Sequence, residues 1–417
     1  MFVGYNISKK GHFMQLAQRV SGIGESVTLN ITSKAKKLKS EGKDVVSFAA
    51  GEPDFDTPDH IKEAAIKAIR DGFTKYTPSS GMLELREAIS KKFKTDNGLD
   101  YAPSQIVVSN GAKHSLNNIF QVICEKGDEV LIPEPYWLSY PAMVKMAEAE
   151  PVFVSTSKTD NFSINEKNLL SRITKKTKCL ILNSPSNPTG CIYDRKMLDM
   201  VSGLAVKHNF FVISDEIYEK LIYDGKKHIS IGSLGKDIFD RTITVNGVSK
   251  SYSMTGWRIG YAAGPKPIMD AIGNLQSHAT SNPCSISQQA TFEAMTKDQS
   301  FIAKMCIEYQ KRRDYMIERI SRFPKFSCIK PEGAFYLFCD ISKLGLGSVE
   351  VATRLLDEAM VAVIPGEPFG ADDFIRLSFA TGMDTIRKGL DRIEEWLKAC
   401  DKSSVHPKQS RGVEKNG

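Results

Sequence analysis

Residues 241–264 read RTITVNGVSKSYSMTGWRIGYAAG. Two β-prone runs, RTITVNG and RIGYAAG, flank a polar turn carrying Lys250, so the stretch reads as strand, loop, strand with reactive groups between them. Toward the N-terminus the same kind of run recurs as QIVVS, EVLIP, PVFVS, KCLILN and FFVIS. Amphipathic segments such as 114–124 and 196–207 lie between several of them. Short buried strands alternating with helices predict an α/β architecture, a mostly parallel sheet sandwiched by helices. Ligands of such sheets sit beyond the carboxyl ends of the strands, so the residues just after each run are the ones to examine.

The flanks differ. Residues 26–42 and 296–322 have helical period, KFSCIKPEGAFYLFCDI, VAVIPG and FIRLSFA supply short strands, and a helix is expected over 385–399. These predict a smaller α+β domain built from both ends, residues 26–49 with 290–400. The large domain then covers 50–289, preceded by an N-terminal arm, 1–25, and followed by a polar, disordered tail, 401–417.

Composition narrows the classes. At 417 residues, 41% hydrophobic and 25% charged, the chain is of ordinary globular make-up. Its formal charge of +7 is carried mostly by the ends, where Lys9, Lys10 and Arg19 face no acid in the first 19 residues. The nearly neutral body argues against a nucleic-acid stripe. With neither an apolar run long enough to span a bilayer nor a secretory leader, the expectation is a cytoplasmic protein without a membrane or nucleic-acid partner. The eight cysteines form no C-x-x-C, so no metal site is expected, and Cys124, Cys179 and Cys339 read as core residues in a reducing compartment. No nucleotide-binding glycine motif and no G-x-S-x-G elbow occur.

Four strand-end segments carry the chemistry. Lys250 follows a strand, where shielding from water disfavours its charged form and leaves a nucleophilic amine. Asp215 ends FFVISD, with Tyr218 one helical turn on. Asn187 precedes Pro188 in LILNSPSNPTG. Gly111 and Ala112 open a helix after VVSN, where backbone N–H groups and the helix dipole favour a phosphate. Taken singly each has an ordinary explanation: a surface lysine, a helix cap, a proline turn, a tight turn.

Together, in this order, and with AAGEPDFDTP, TKYTPSSGMLELREAI, EGAFY and RLSFA, the segments resemble the class I and II pyridoxal-phosphate aminotransferases of fold type I over residues 26–399. The resemblance implies that Lys250 is the Schiff-base lysine and proton shuttle, that Asp215 pairs with the pyridine nitrogen, and that Tyr218 and Asn187 hydrogen-bond the ring oxygen. It places the phosphate against Arg258 and the turn of Gly111, Ala112 and Lys113, with Tyr76 reaching across from a second subunit, and stacks Trp137 on the ring. Arg376, aided by Asn187 and Gly51, would clamp the α-carboxylate of an amino or 2-oxo acid.

Within the family the pattern SNGAKHS, YTPSSG and EPYWLSYP is similar to bacterial aspartate aminotransferases of the I-gamma subgroup. That implies L-aspartate and 2-oxoglutarate as substrates of a ping-pong cycle in a homodimer, with Lys113 and Thr28 meeting the distal carboxylate; Lys113 also reads as an exposed first-turn lysine. Aromatic, alanine, kynurenine and prephenate or glutamate aminotransferases share the fold, as do non-transaminase pyridoxal-phosphate enzymes and pyridoxal-phosphate-dependent regulators. Two departures stand out. Glu25 replaces a proline linked with prephenate binding and sets a negative charge against it. Gly247 stands where many relatives have a phosphate-binding serine.

Overall fold

A computed structural model describes residues 27–405, with side chains from 30 to 400, together with Ala17 and Gly24; the rest of the expected arm and the tail beyond Val405 lie outside the described residues. In chain order the strands are β1 (Val46–Ser47), β2 (Ile106–Ser109), β3 (Glu129–Pro133), β4 (Glu150–Val154), β5 (Thr177–Asn183), β6 (Phe211–Asp215) and β7 (Thr242–Gly247). They continue as β8 (Gly260–Ala263), β9 (Ser327–Cys328), β10 (Tyr336–Asp340), β11 (Val361–Ala362), β12 (Ile364–Pro365) and β13 (Phe374–Ser378).

All seven expected strands between residues 105 and 264 enter one sheet, in the order β2-β8-β7-β6-β5-β3-β4. Only β8 runs against its neighbours, as the short 248–259 connection from β7 dictates, since a parallel return would need a longer crossover. The sheet is buried on both faces: β2, β7 and β8 expose no residue. One cover is the helix Ala112–Ile123, whose Leu116, Ile119, Phe120 and Ile123 make a single apolar stripe. Another is Arg195–His208, which begins where Asp194 accepts the Met197 N–H at 2.8 Å and stops at Asn209 in the left-handed region.

A second body combines both ends of the chain. The strand β1 pairs in parallel with β11, and β12-β13-β10-β9 form a four-stranded antiparallel sheet. The helices Val27–Ser40, Ser348–Ala359 and Met383–Val405 pack around these strands. The last helix runs past the expected end at 399 and into the expected tail; DKSSV contains no breaker, and the next proline is Pro407. The helix Ser285–Thr296 spans the expected domain boundary at 290 and packs on Asp59–Arg70 and Leu83–Lys92, beside the large sheet. The two bodies share a core in which Val361, Ile375, Leu377 and Ile386 meet Ile217, Tyr218, Leu221 and Tyr223. Cys124, Cys179 and Cys339 are buried in the cores. Among the described residues no helix is long and apolar enough to cross a membrane.

Candidate active site

The strands β2, β5, β6 and β7 end at one edge of the large sheet, where Asn183 lies opposite Asp215 and Asp215 opposite Val245. Asn183 ties the edge together: its Nδ2 donates to the Asp215 carbonyl at 3.1 Å and its Oδ1 accepts the Asn187 N–H at 2.8 Å. The proline turn therefore hangs from the strand-end register.

Asp215 is 4% exposed. The Tyr140 hydroxyl donates to its Oδ2 at 2.6 Å and the Ile217 N–H to its Oδ1 at 3.3 Å. Burial pushes the carboxyl up to about 6 although both hydrogen bonds oppose the shift. In the loop that follows the neighbouring strand β7, Lys250 Nζ donates to the Gly51 carbonyl at 2.6 Å and lies 5.8 Å from the ring centroids of Tyr218 and Phe335. Burial brings the Lys250 ammonium down to about 8; Arg376 and Arg258 add to the shift, and Glu52 and Asp215 oppose it.

Two arginines frame this lysine. Arg376, on β13, is 4% exposed; its Nη1 donates to Asn187 Oδ1 at 2.9 Å, its Nη2 to the Ala49 carbonyl at 3.4 Å, and its buried Nε has no partner. Arg258 is itself left-handed, φ 56°, and its guanidinium donates to the carbonyls of Thr255 at 2.9 Å and Asn110 at 3.4 Å. Glycine is required beside it: a Cβ on Gly111 would fall 2.4 Å from Arg258 Nη2, and one on Gly260 only 2.0 Å from the Ala112 nitrogen. A Cβ on Gly247 would meet Gly260 Cα and the Ile259 carbonyl oxygen at 3.0 Å, so a serine there would require the neighbouring backbone to give by a few tenths of an ångström.

Among the described residues neither arginine pairs with a carboxylate. Lys113, exposed, is likewise without one; it lies 4.9 Å from the Trp137 ring, and partial desolvation and Arg258 lower its pKa. Arg376, a buried cation without a counter-ion, calls for an anionic ligand, and the exposed Arg258 and Lys113 leave two more positive charges open to one. A phosphate beside Arg258 and the Gly111 turn, and a carboxylate beside Arg376, meet that need, so the donor set fits pyridoxal phosphate and an α-amino acid.

The structure thus brings Gly51, Gly111, Ala112, Lys113, Trp137, Asn187, Asp215, Tyr218, Lys250, Arg258 and Arg376 to one region. Tyr76 stands apart, 91% exposed. Thr28 is in the first turn of Val27–Ser40, and its side chain, like Glu25, lies outside the described residues. Sequence reasoning missed Asn183, Tyr140 and Tyr336, whose hydroxyl is 3.0 Å from that of Tyr218. Tyr140 carried a signal, lying three residues after Trp137, and the two rings pack edge to face at 5.2 Å. It also missed a buried charged cluster behind the sheet edge. There Glu216 accepts from Ser214, Ser230, Asn97 and His228, while Glu219 pairs with Lys92 and accepts from Asn97, so both carboxylates, which with His228 lie close enough together to hold a metal ion, already have protein donors.

A lysine on a strand-end loop, a buried aspartate facing it and two unpaired arginines define a pyridoxal-phosphate enzyme of fold type I. Residues 43–393 match the family described as aminotransferase class I and II, and the chain belongs to it. The aspartate aminotransferase of Geobacillus stearothermophilus is 48% identical over 93% of this chain and 100% of its own. The probable aspartate/prephenate aminotransferase of Rickettsia bellii is 46% identical, covering 92% and 98%. The solved aspartate aminotransferase of Thermus thermophilus with maleate superposes with a TM-score of 0.89 at 42% identity, covering 92% and 100%. The chain is a pyridoxal-phosphate-dependent aminotransferase.

Asp215 carries a stability cost. Its folded pKa lies above the unfolded value, so above pH 6 the buried carboxylate destabilises the cofactor-free protein, and the cost fades as the pH falls from 6 through 3.8. Asp215→Asn should therefore stabilise the cofactor-free protein at pH 8 by about 1–3 kcal/mol and by about half as much at pH 5. Thermal unfolding at the two pH values measures it; equal shifts would refute the assignment.

Proposed function

We propose that the enzyme transfers the amino group of L-aspartate to 2-oxoglutarate by a ping-pong cycle, with roles divided as follows. Pyridoxal phosphate, when bound, supplies the carbonyl carbon that takes the nitrogen and the ring that takes up the electron pair left when Cα loses its proton. Lys250 holds the cofactor and then, released, moves that proton at Cα, a task suited to an amine brought down to about 8. Asp215, whose carboxylate accepts from Tyr140, holds a proton on the ring nitrogen. Tyr218 and Asn187 face the ring oxygen, and Trp137 stacks on the ring. Arg258 with Gly111, Ala112 and Lys113 takes the phosphate, and Arg376 with Asn187 and Gly51 takes the α-carboxylate.

The observation that carries the choice of a dicarboxylic substrate is Lys113. It is an exposed cation set 4.9 Å from the Trp137 ring with no acidic partner among the described residues, and with Thr28 it is the distal-carboxylate contact of this reading. The relatives' names point the same way. We further propose a homodimer with shared active sites: Tyr76, almost wholly exposed here, is the phosphate ligand given to the neighbour. The small domain, 26–49 with 290–400, closes on substrate against 50–289 and expels water.

The cycle is tested by following the visible absorption of the loaded enzyme. Aspartate alone should abolish the band, and 2-oxoglutarate should restore it; a band untouched by aspartate but abolished by another amino acid would overturn the substrate while leaving the chemistry. Lys113→Ala should lower kcat/KM for aspartate roughly 10- to 100-fold, about 1–3 kcal/mol for a charge-assisted bond, and for alanine far less. Equal losses would remove Lys113 from distal recognition. Tyr76→Phe should weaken cofactor retention without changing the unfolding midpoint of the cofactor-free protein, and unchanged titrations would argue against a shared site.

A further inference from the structure

Tyr336 belongs to neither set of ligands described above, yet it touches both. It is 1% exposed and lies on β10. Because Phe338 is opposite Arg376 in the sheet, Tyr336 is its diagonal neighbour on the same face. The Arg376 guanidinium carbon lies 4.2 Å from the Tyr336 ring centroid and 5.3 Å from that of Phe369. The Tyr336 hydroxyl is 3.0 Å from the Tyr218 hydroxyl. Its place is set from the large domain, because the segment before it is held by Glu332 and Gly333 N–H groups on the Gly190 carbonyl and by Ala334 N–H on the Leu221 carbonyl.

We propose that Tyr336 is a positioning residue that couples the carboxylate site to the ring-oxygen site: its ring sets the plane of Arg376, and its hydroxyl donates to Tyr218. This rests on the reading in which Tyr218 donates to the cofactor's ring oxygen. A hydroxyl that donates onward is a better donor when it also accepts, so Tyr336 strengthens the Tyr218 bond. The other charged groups facing the pair are Arg376 from β13, Asp215 from β6, Glu52 from the loop after β1 and Lys250 from the loop after β7.

The test is the pH titration of the bound cofactor's visible absorption in the wild type, Tyr218→Phe, Tyr336→Phe and the double variant. A donor to the ring oxygen favours the form with negative charge there, so Tyr218→Phe should raise the midpoint. Tyr336→Phe should raise it less, by about half a unit, and add nothing once Tyr218 is already Phe. For the ring's part, Tyr336→Leu should weaken maleate binding about tenfold while Tyr336→Phe stays within about twofold. If Tyr218→Phe moves the midpoint and Tyr336→Phe does not, or if Tyr336→Leu binds maleate normally, the coupling is overturned. A midpoint indifferent to Tyr218→Phe removes the reading of Tyr218 and the proposal with it.

Discussion

The site is organised by positive charge that the protein does not neutralise. Arg376 is buried while Arg258 and Lys113 are exposed, and none of the three has a carboxylate partner among the described residues; the buried acid of the site, Asp215, is itself pushed toward its neutral form by burial. Desolvating cations costs free energy unless counter-charges compensate. The rest of the fold offsets that cost: a seven-stranded sheet buried on both faces, a second sheet behind it, and a core shared by both. The protein spends stability on a place where anions belong, which is how a binding site differs from a core.

Backbone constraints then decide where each charge sits. Tight turns at β2 and β8 allow Arg258 to lie against Gly111, and the Asn183–Asp215 register aligns the proline turn with the aspartate. Arg376 is presented by a different sheet from Lys250, so its aim depends on aromatic packing and on Asn187 rather than on the strands that carry the lysine. Rigid elements hold the groups, and contacts between elements aim them.

Much of this was legible in the sequence. The seven strands announce themselves as apolar runs because both faces of the sheet are covered, and Lys250, Asp215 and Asn187 are marked by following such runs. Tyr140 and Tyr336 were not singled out because an apolar segment containing a tyrosine reads as core, and both are core; their function lies in one hydroxyl each, whose partner comes from another element. The last helix outruns its expected end for a local reason: periodicity fades before helix-forming residues run out. The cluster of Glu216, Glu219, His228, Asn97 and Lys92 unites residues more than a hundred positions apart, and no spacing rule reaches that far.

The arginine that receives the carboxylate hangs from the antiparallel sheet, while the asparagine it grips belongs to the proline turn of the large one. A ligand seated there is a strut between two structural bodies, and by mass action a strut in thousandfold excess over its dissociation constant adds about 4 kcal/mol against unfolding. Starvation would withdraw that reinforcement. The lifetime of this enzyme in a cell, as judged by proteases that sample opened chains, is thereby tied to the supply of the metabolites it interconverts.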